Sequence, residues 1–110
     1  MSDTGMAPFD PVRVLGCTPE EAAELLHGRK LTLDEVEGLA LDNYQWWRHL
    51  RDPRSYWVTA SQAARLLHIS PGVVRRLLDQ ERVPYVVHHS GVRLMRRQEI
   101  LRISEHIELT

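Results

Sequence analysis

Val58-Thr59-Ala60-Ser61-Gln62-Ala63-Ala64-Arg65-Leu66-Leu67-His68-Ile69-Ser70-Pro71-Gly72-Val73-Val74-Arg75-Arg76-Leu77-Leu78-Asp79-Gln80 is the stretch that decides the fold. Thr59 reads as a helix N-cap, and Gln62, three residues on, completes a capping box. Ala63 and Ala64 let a second helix approach closely, while Leu66 and Leu67 face a core. His68-Ile69-Ser70 is a tight turn with Ile69 plugging inward. Ser70 then caps a second helix whose first turn takes Pro71. Val74, Leu77 and Leu78 lie at i, i+3, i+4 and turn inward, leaving Gly72, Val73, Arg75, Arg76 and Asp79 outward or flanking. Two short helices joined by about three residues form a helix-turn-helix.

Downstream of Pro84, Tyr85-Val86-Val87-His88 and Val92-Arg93-Leu94-Met95 are β-rich runs separated by His89-Ser90-Gly91, which reads as a hairpin. A last helix is expected from about Arg97 to Leu109, with Ile100, Leu101, Ile103 and Ile107 as its apolar residues. Upstream, Thr18-Pro19-Glu20-Glu21 starts a helix that Gly28 ends, and Thr32-Leu33-Asp34-Glu35 starts another. Leu33, Val36, Ala40, Tyr44 and Trp47 predict that the second continues to about Leu50, before Asp52-Pro53 breaks it. Residues 1–17 lack periodicity and read as a mobile lead-in. The expected organisation is a flexible 1–17, an acidic two-helix extension over 18–52, and a mainly α winged helix-turn-helix domain over 56–110 with a small hairpin wing. Tyr44, Trp46, Trp47, Tyr56 and Trp57 crowd around the break at Pro53. A base-stacking platform is one reading of this cluster, but helical spacing favours a seam between packed units.

The net charge of −1 hides a division along the chain. Residues 1–50 hold nine acids against four bases, whereas residues 51–110 hold six acids against ten bases, all of them arginine. A genome that prefers arginine codons would give the same count. Arginine's planar fork nonetheless matches phosphate and guanine edges, which points the second half at a polyanion. The second helix, light at its amino end and followed by Arg75 and Arg76, suits entry into a major groove. Periodicity alone leaves a solvated basic helix packed on a neighbour equally open.

The run 58–70, with Val74-Arg75-Arg76-Leu77-Leu78, Val83-Pro84 and Gly91-Val92-Arg93-Leu94, resembles the excisionase/MerR-type winged helix-turn-helix family over residues 56–108. The resemblance implies that Gly72, Val73, Arg75 and Arg76 face the major groove and that Arg93 belongs to a wing, and Ser70 at the start of the same helix is expected to contact DNA as well. It also implies a bacterial or phage regulator, or a recombination accessory factor, acting as dimers or arrays on DNA. The sequence departs from the family at His68 and Glu81, which stand where glycine is common. A left-handed backbone at either would cost about 1 kcal/mol.

With 43% hydrophobic and 26% charged residues, the 110-residue chain can bury a core without disulfides. Its single cysteine, Cys17, closes no loop and has no neighbouring base. The six histidines lack metal-ligand spacing, and His88 and His89 would point to opposite faces of a strand. No phosphate-cradling glycine loop, signal peptide or membrane span is evident. The expectation is a cytoplasmic, non-enzymatic protein that needs no cofactor or metal, shows no small-molecule substrate and binds double-stranded DNA. Arg65, Arg82, Arg93, Arg96 and Arg97 would anchor phosphates, giving log affinity a slope of about −4 against log salt. Residues 18–50 would serve self-association or a protein partner, or simply pack on the second half. The competing expectation is a protein-interaction adaptor, antitoxin-like, that uses these acidic helices.

Overall fold

The computed structural model describes residues 9–106, with side chains to Glu105. Its elements run α1 (Pro11–Leu15), α2 (Pro19–Leu26), α3 (Leu33–Asn43), a 3-10 turn (Trp46–Arg48), β1 (Trp57–Val58), α4 (Ala60–Leu67), α5 (Pro71–Asp79), β2 (Val86–Val87), β3 (Arg93–Arg96) and α6 (Arg97–His106). The fold is mainly helical with one small antiparallel sheet of order β1-β3-β2.

The helix starts follow from their caps. The Thr18, Thr32 and Thr59 hydroxyls accept from the amides of Glu21, Glu35 and Gln62, and each of those side chains returns the bond to its cap. Ser70 caps α5, with Pro71 in the first turn. The turn between α4 and α5 has His68 at φ 58°, and Glu81 after α5 has φ 55°. Both side chains occupy the left-handed region that the missing glycines would have entered freely, so the backbone keeps this course at a local cost.

The central β3 explains the packing. Adjacent residues in a strand point to opposite faces, and here both faces are buried. Met95, with Val58 of β1, enters a core built from Ala63, Ala64, Leu67, Val74, Leu78, Val83 and Ile100. Leu94, with Trp57 of β1, enters a second core built from Val14, Leu15, Ala22, Val36, Ala40 and Tyr44. The registers Trp57↔Arg96 and Val58↔Met95 on one side, and Val86↔Leu94 and Val87↔Arg93 on the other, hold the strands together. The sheet is thus a wall shared by two cores.

Three expectations need correction. Residues 11–17 are not a loose lead-in: Asp10 caps α1, Val14 and Leu15 are fully buried, and Gly16 closes the helix at φ 65°. A Cβ on Gly16 would collide with the Tyr44 ring, so only glycine fits there. The rest of the expected lead-in, residues 1–8, lies outside the described residues, as do residues 107–110 of the expected last helix. Helix α3 stops at Asn43, whose side chain donates to the Leu39 carbonyl, rather than reaching Leu50. Tyr44 can then drop into the second core while Trp47 is left 54% exposed. His88 and His89 do not oppose each other across a strand. β2 ends at Val87, and their rings lie 4.3 Å apart in the turn that follows.

Candidate nucleic-acid interface

Helix α5 is held on the first core by Val74 and Leu78, with the half-buried Leu77 packed against it. Gly72, Arg75 and Arg76 are exposed and Val73 is half-buried. Arg75 and Arg76 diverge by about 100° around the helix, so they address different sides of any partner. Neither they nor the exposed Arg82 has an ion-pair partner among the described residues. Ser70 is exposed at the amino end, where its hydroxyl already accepts from the Val73 amide.

The remaining arginines divide by their partners. Arg93 donates to Asp79 at 2.7 Å and lies over the Tyr85 ring, 5.5 Å from its centre. The Asp79 hydrogen bond raises its pKa further above the ordinary guanidinium value. Arg65 is exposed but gives one nitrogen to the Leu50 carbonyl at 2.7 Å. Arg97 is half-buried, with its Nε enclosed and lacking an acceptor among the described residues.

Arg96 is a correction. Its Nε and one terminal nitrogen each donate to Glu37 at 2.7 Å, and its guanidinium lies over the Trp57 ring. A fork already closed on a buried carboxylate is a cross-link between β3 and α3, not a free phosphate anchor. The Tyr56 hydroxyl donates to the same carboxylate. Burial alone would raise the Glu37 pKa, but the bonds from Arg96 and Tyr56 overcome it and hold the carboxyl below its ordinary range. Burial, then the Glu37 charge, pushes the Tyr56 hydroxyl up, and Glu37 also strengthens the Arg96 proton. Nothing in the local pattern announced these pairs, because Arg93 finds Asp79 from 14 positions away and Arg96 finds Glu37 from 59. Helical and strand spacings report only near neighbours.

The hairpin turn is strapped to the amino-terminal half. The His89 amide donates to the Leu41 carbonyl at 3.2 Å, and Trp46 Nε1 donates to Ser90 Oγ at 3.2 Å. His88 is fully buried: its Nδ1 accepts from the Ser90 amide, so Nε2 carries the proton and donates to the Tyr44 carbonyl at 2.7 Å. Desolvation pulls its pKa below the ordinary imidazole value, against the opposing pull of the Tyr44 carbonyl.

A groove of about 390 Å³ beside α5 is lined by Trp46 and Leu50, by Ser61 and Arg65 of α4, and by Arg75 and Arg93. The amino-terminal half therefore flanks the basic helix without covering Arg76. Leu25, Leu26 and Leu39 pack against the second core, and the exposed large apolar residues among the described residues are Trp47, Leu50, Val87 and Leu101. Among the described residues no cluster of His, Cys, Asp or Glu could hold a metal, and no helix is long and apolar enough to cross a membrane. In comparisons with known proteins, no family model, no curated protein and no solved structure matches the chain.

Proposed function

We propose that the chain is a DNA-binding protein without catalysis of its own, acting in the cytoplasm as a transcriptional regulator or recombination accessory factor. In this reading α4, the turn at 68–70, α5, the β2–β3 hairpin and α6 form a winged helix-turn-helix. Helix α5 enters the major groove with Gly72, Val73, Arg75 and Arg76, and the hairpin lies against the adjacent backbone. Arg65, Arg82, Arg93 and Arg97 anchor phosphates around it.

The observation that carries the reading is the state of Arg75, Arg76 and Arg82. Three guanidinium groups stand exposed, and no carboxylate among the described residues neutralises them. An arginine left without a carboxylate keeps its donors for phosphate or for guanine O6 and N7.

The test is fluorescence anisotropy of the full chain against labelled duplex at about 50 mM salt, where phosphate contacts are least screened. The native chain binds. The Arg75→Ala/Arg76→Ala variant, checked for an unchanged circular dichroism spectrum, loses roughly 10- to 100-fold in affinity. A native chain that binds no duplex overturns the proposal. The adaptor reading would then take its place, with the exposed Trp47 and Leu50 in its favour as the apolar contact residues beside the acidic helices.

A further inference from the structure

A second groove, of about 430 Å³, opens on the far side of Arg65, between the segment at 50–53 and helices α4 and α6. It shares Leu50 and Arg65 with the groove beside α5, so the two meet across that pair. Arg75 and Arg93 line the first groove, Arg51 and Arg97 line the second, and Arg65 stands between them. We propose that the two grooves form one continuous track for the phosphate backbone of DNA, in which Arg51, from the segment that precedes β1, contacts a phosphate beyond the reach of α5. This rests on the DNA-binding reading above.

The charge along the track is one-sided. Among the described residues, the only carboxylate that lines either groove is Asp52. One of its oxygens accepts from the Arg54 amide at 2.9 Å, and the other lies 3.7 Å from His49 Nδ1. Arg65 spends one nitrogen on the Leu50 carbonyl and keeps the rest of its five donors. Arg97, which lines the second groove, has a buried Nε with no acceptor among the described residues. Both grooves are open to solvent, and they adjoin at the Leu50–Arg65 pair. That shape suits a chain of phosphates better than a small anion, which needs enclosure on most of its surface.

The backbone that presents Arg51 is braced from three sides. Gln62 Nε2 donates to the His49 carbonyl at 2.8 Å, and Arg65 holds the next carbonyl, that of Leu50. The His49 ring stacks on Tyr44 and bonds the Gly16 carbonyl through Nε2 at 2.9 Å. Helix α4 thus sets the position of the segment just before Arg51, and little backbone freedom remains to be lost on binding.

Salt titrations of the full chain against a labelled mixed-sequence duplex, from about 50 to 200 mM salt, test the track. Arg51→Ala lowers the magnitude of the slope of log affinity against log salt by about 0.9, the share of one phosphate. The loss is the same on duplexes of unrelated sequence, and Arg51→Lys restores the slope because lysine also neutralises a phosphate. Arg54→Ala is the control: Arg54 is an exposed cation three residues away that lines neither groove. If Arg51→Ala behaves like Arg54→Ala while Arg75→Ala/Arg76→Ala shows its roughly 10- to 100-fold loss, the track is wrong and the DNA-binding reading stands. If the native chain binds no duplex, both fall together.

Discussion

The His88 imidazole is fully buried at a point where its neighbours fix its protonation state. The Ser90 amide donates to Nδ1 at 3.1 Å, so a proton arriving there would face another N–H. The His89 ring lies tilted beside it and adds repulsion, while Asp42 on α3 and the Tyr44 carbonyl oppose the shift without reversing it. The folded pKa therefore lies below the unfolded value near 6.5. Stability from the neutral ring is present above pH 6.5 and is lost as the pH falls through the folded pKa, with a slope of at most about 1.4 kcal/mol per pH unit for one proton. Urea midpoints of the native chain should fall between about pH 7 and 5, and those of His88→Gln should fall less, because glutamine does not titrate. Equal pH dependence in the two would show that His88 is not the responsible group. Residues of this kind were only partly legible in the sequence. His68 and Glu81 stood out because glycine was missing where the chain turns, and both proved left-handed. His88 gave no such signal, since a buried histidine and an exposed one look alike until the turn that encloses it is known.

Among the elements, those with local signatures were readable: the capping boxes of α2, α3 and α4 and the Ser70-Pro71 start of α5 each span four residues or fewer. Helix α1 carried the same signs, Asp10-Pro11 before it and Gly16 after it, but five residues are too few for an apolar period to register. The junction between α3 and β3 was not readable, because it depends on Glu37 meeting Arg96 and Tyr56 across the fold. Removing one partner strands the other. Glu37→Ala should cost about 2–3 kcal/mol by leaving a half-buried guanidinium unpaired, and Arg96→Ala should cost at least as much by leaving the carboxylate. The double variant should cost less than the sum by more than 1 kcal/mol, which urea unfolding of the four proteins would measure. Additive losses would mean that the bridge contributes nothing specific. The Glu37 pKa is depressed in the folded chain, so its contribution is complete above its ordinary value of 4.5 and fades as the pH falls below it.

At the scale of the whole molecule, the boundary drawn near residue 56 from the break at Pro53 and the reach of the helix-turn-helix pattern cuts through a core. Trp57 and Leu94 belong by sequence to the basic half but are buried among Val14, Leu15, Val36, Ala40 and Tyr44 of the acidic half. The charge asymmetry gave no hint of this, since charge partitions the surface and says little about which apolar side chains meet beneath it. Both faces of β3 are buried, one by each half, so neither half contains a complete sheet environment. A fragment of residues 54–110 would expose the Trp57 ring and the Leu94 side chain. Those two groups alone forfeit roughly 4–6 kcal/mol of apolar burial, a large part of what a domain this size has in reserve. The full chain should therefore unfold in one urea transition followed equally by tryptophan fluorescence and circular dichroism. The 54–110 fragment should keep some helix but show no cooperative transition. A fragment that unfolds cooperatively within about 1 kcal/mol of the full chain would mean that α4, α5, the hairpin and α6 are self-sufficient. The amino-terminal helices would then be an attachment to a finished domain rather than half of its core.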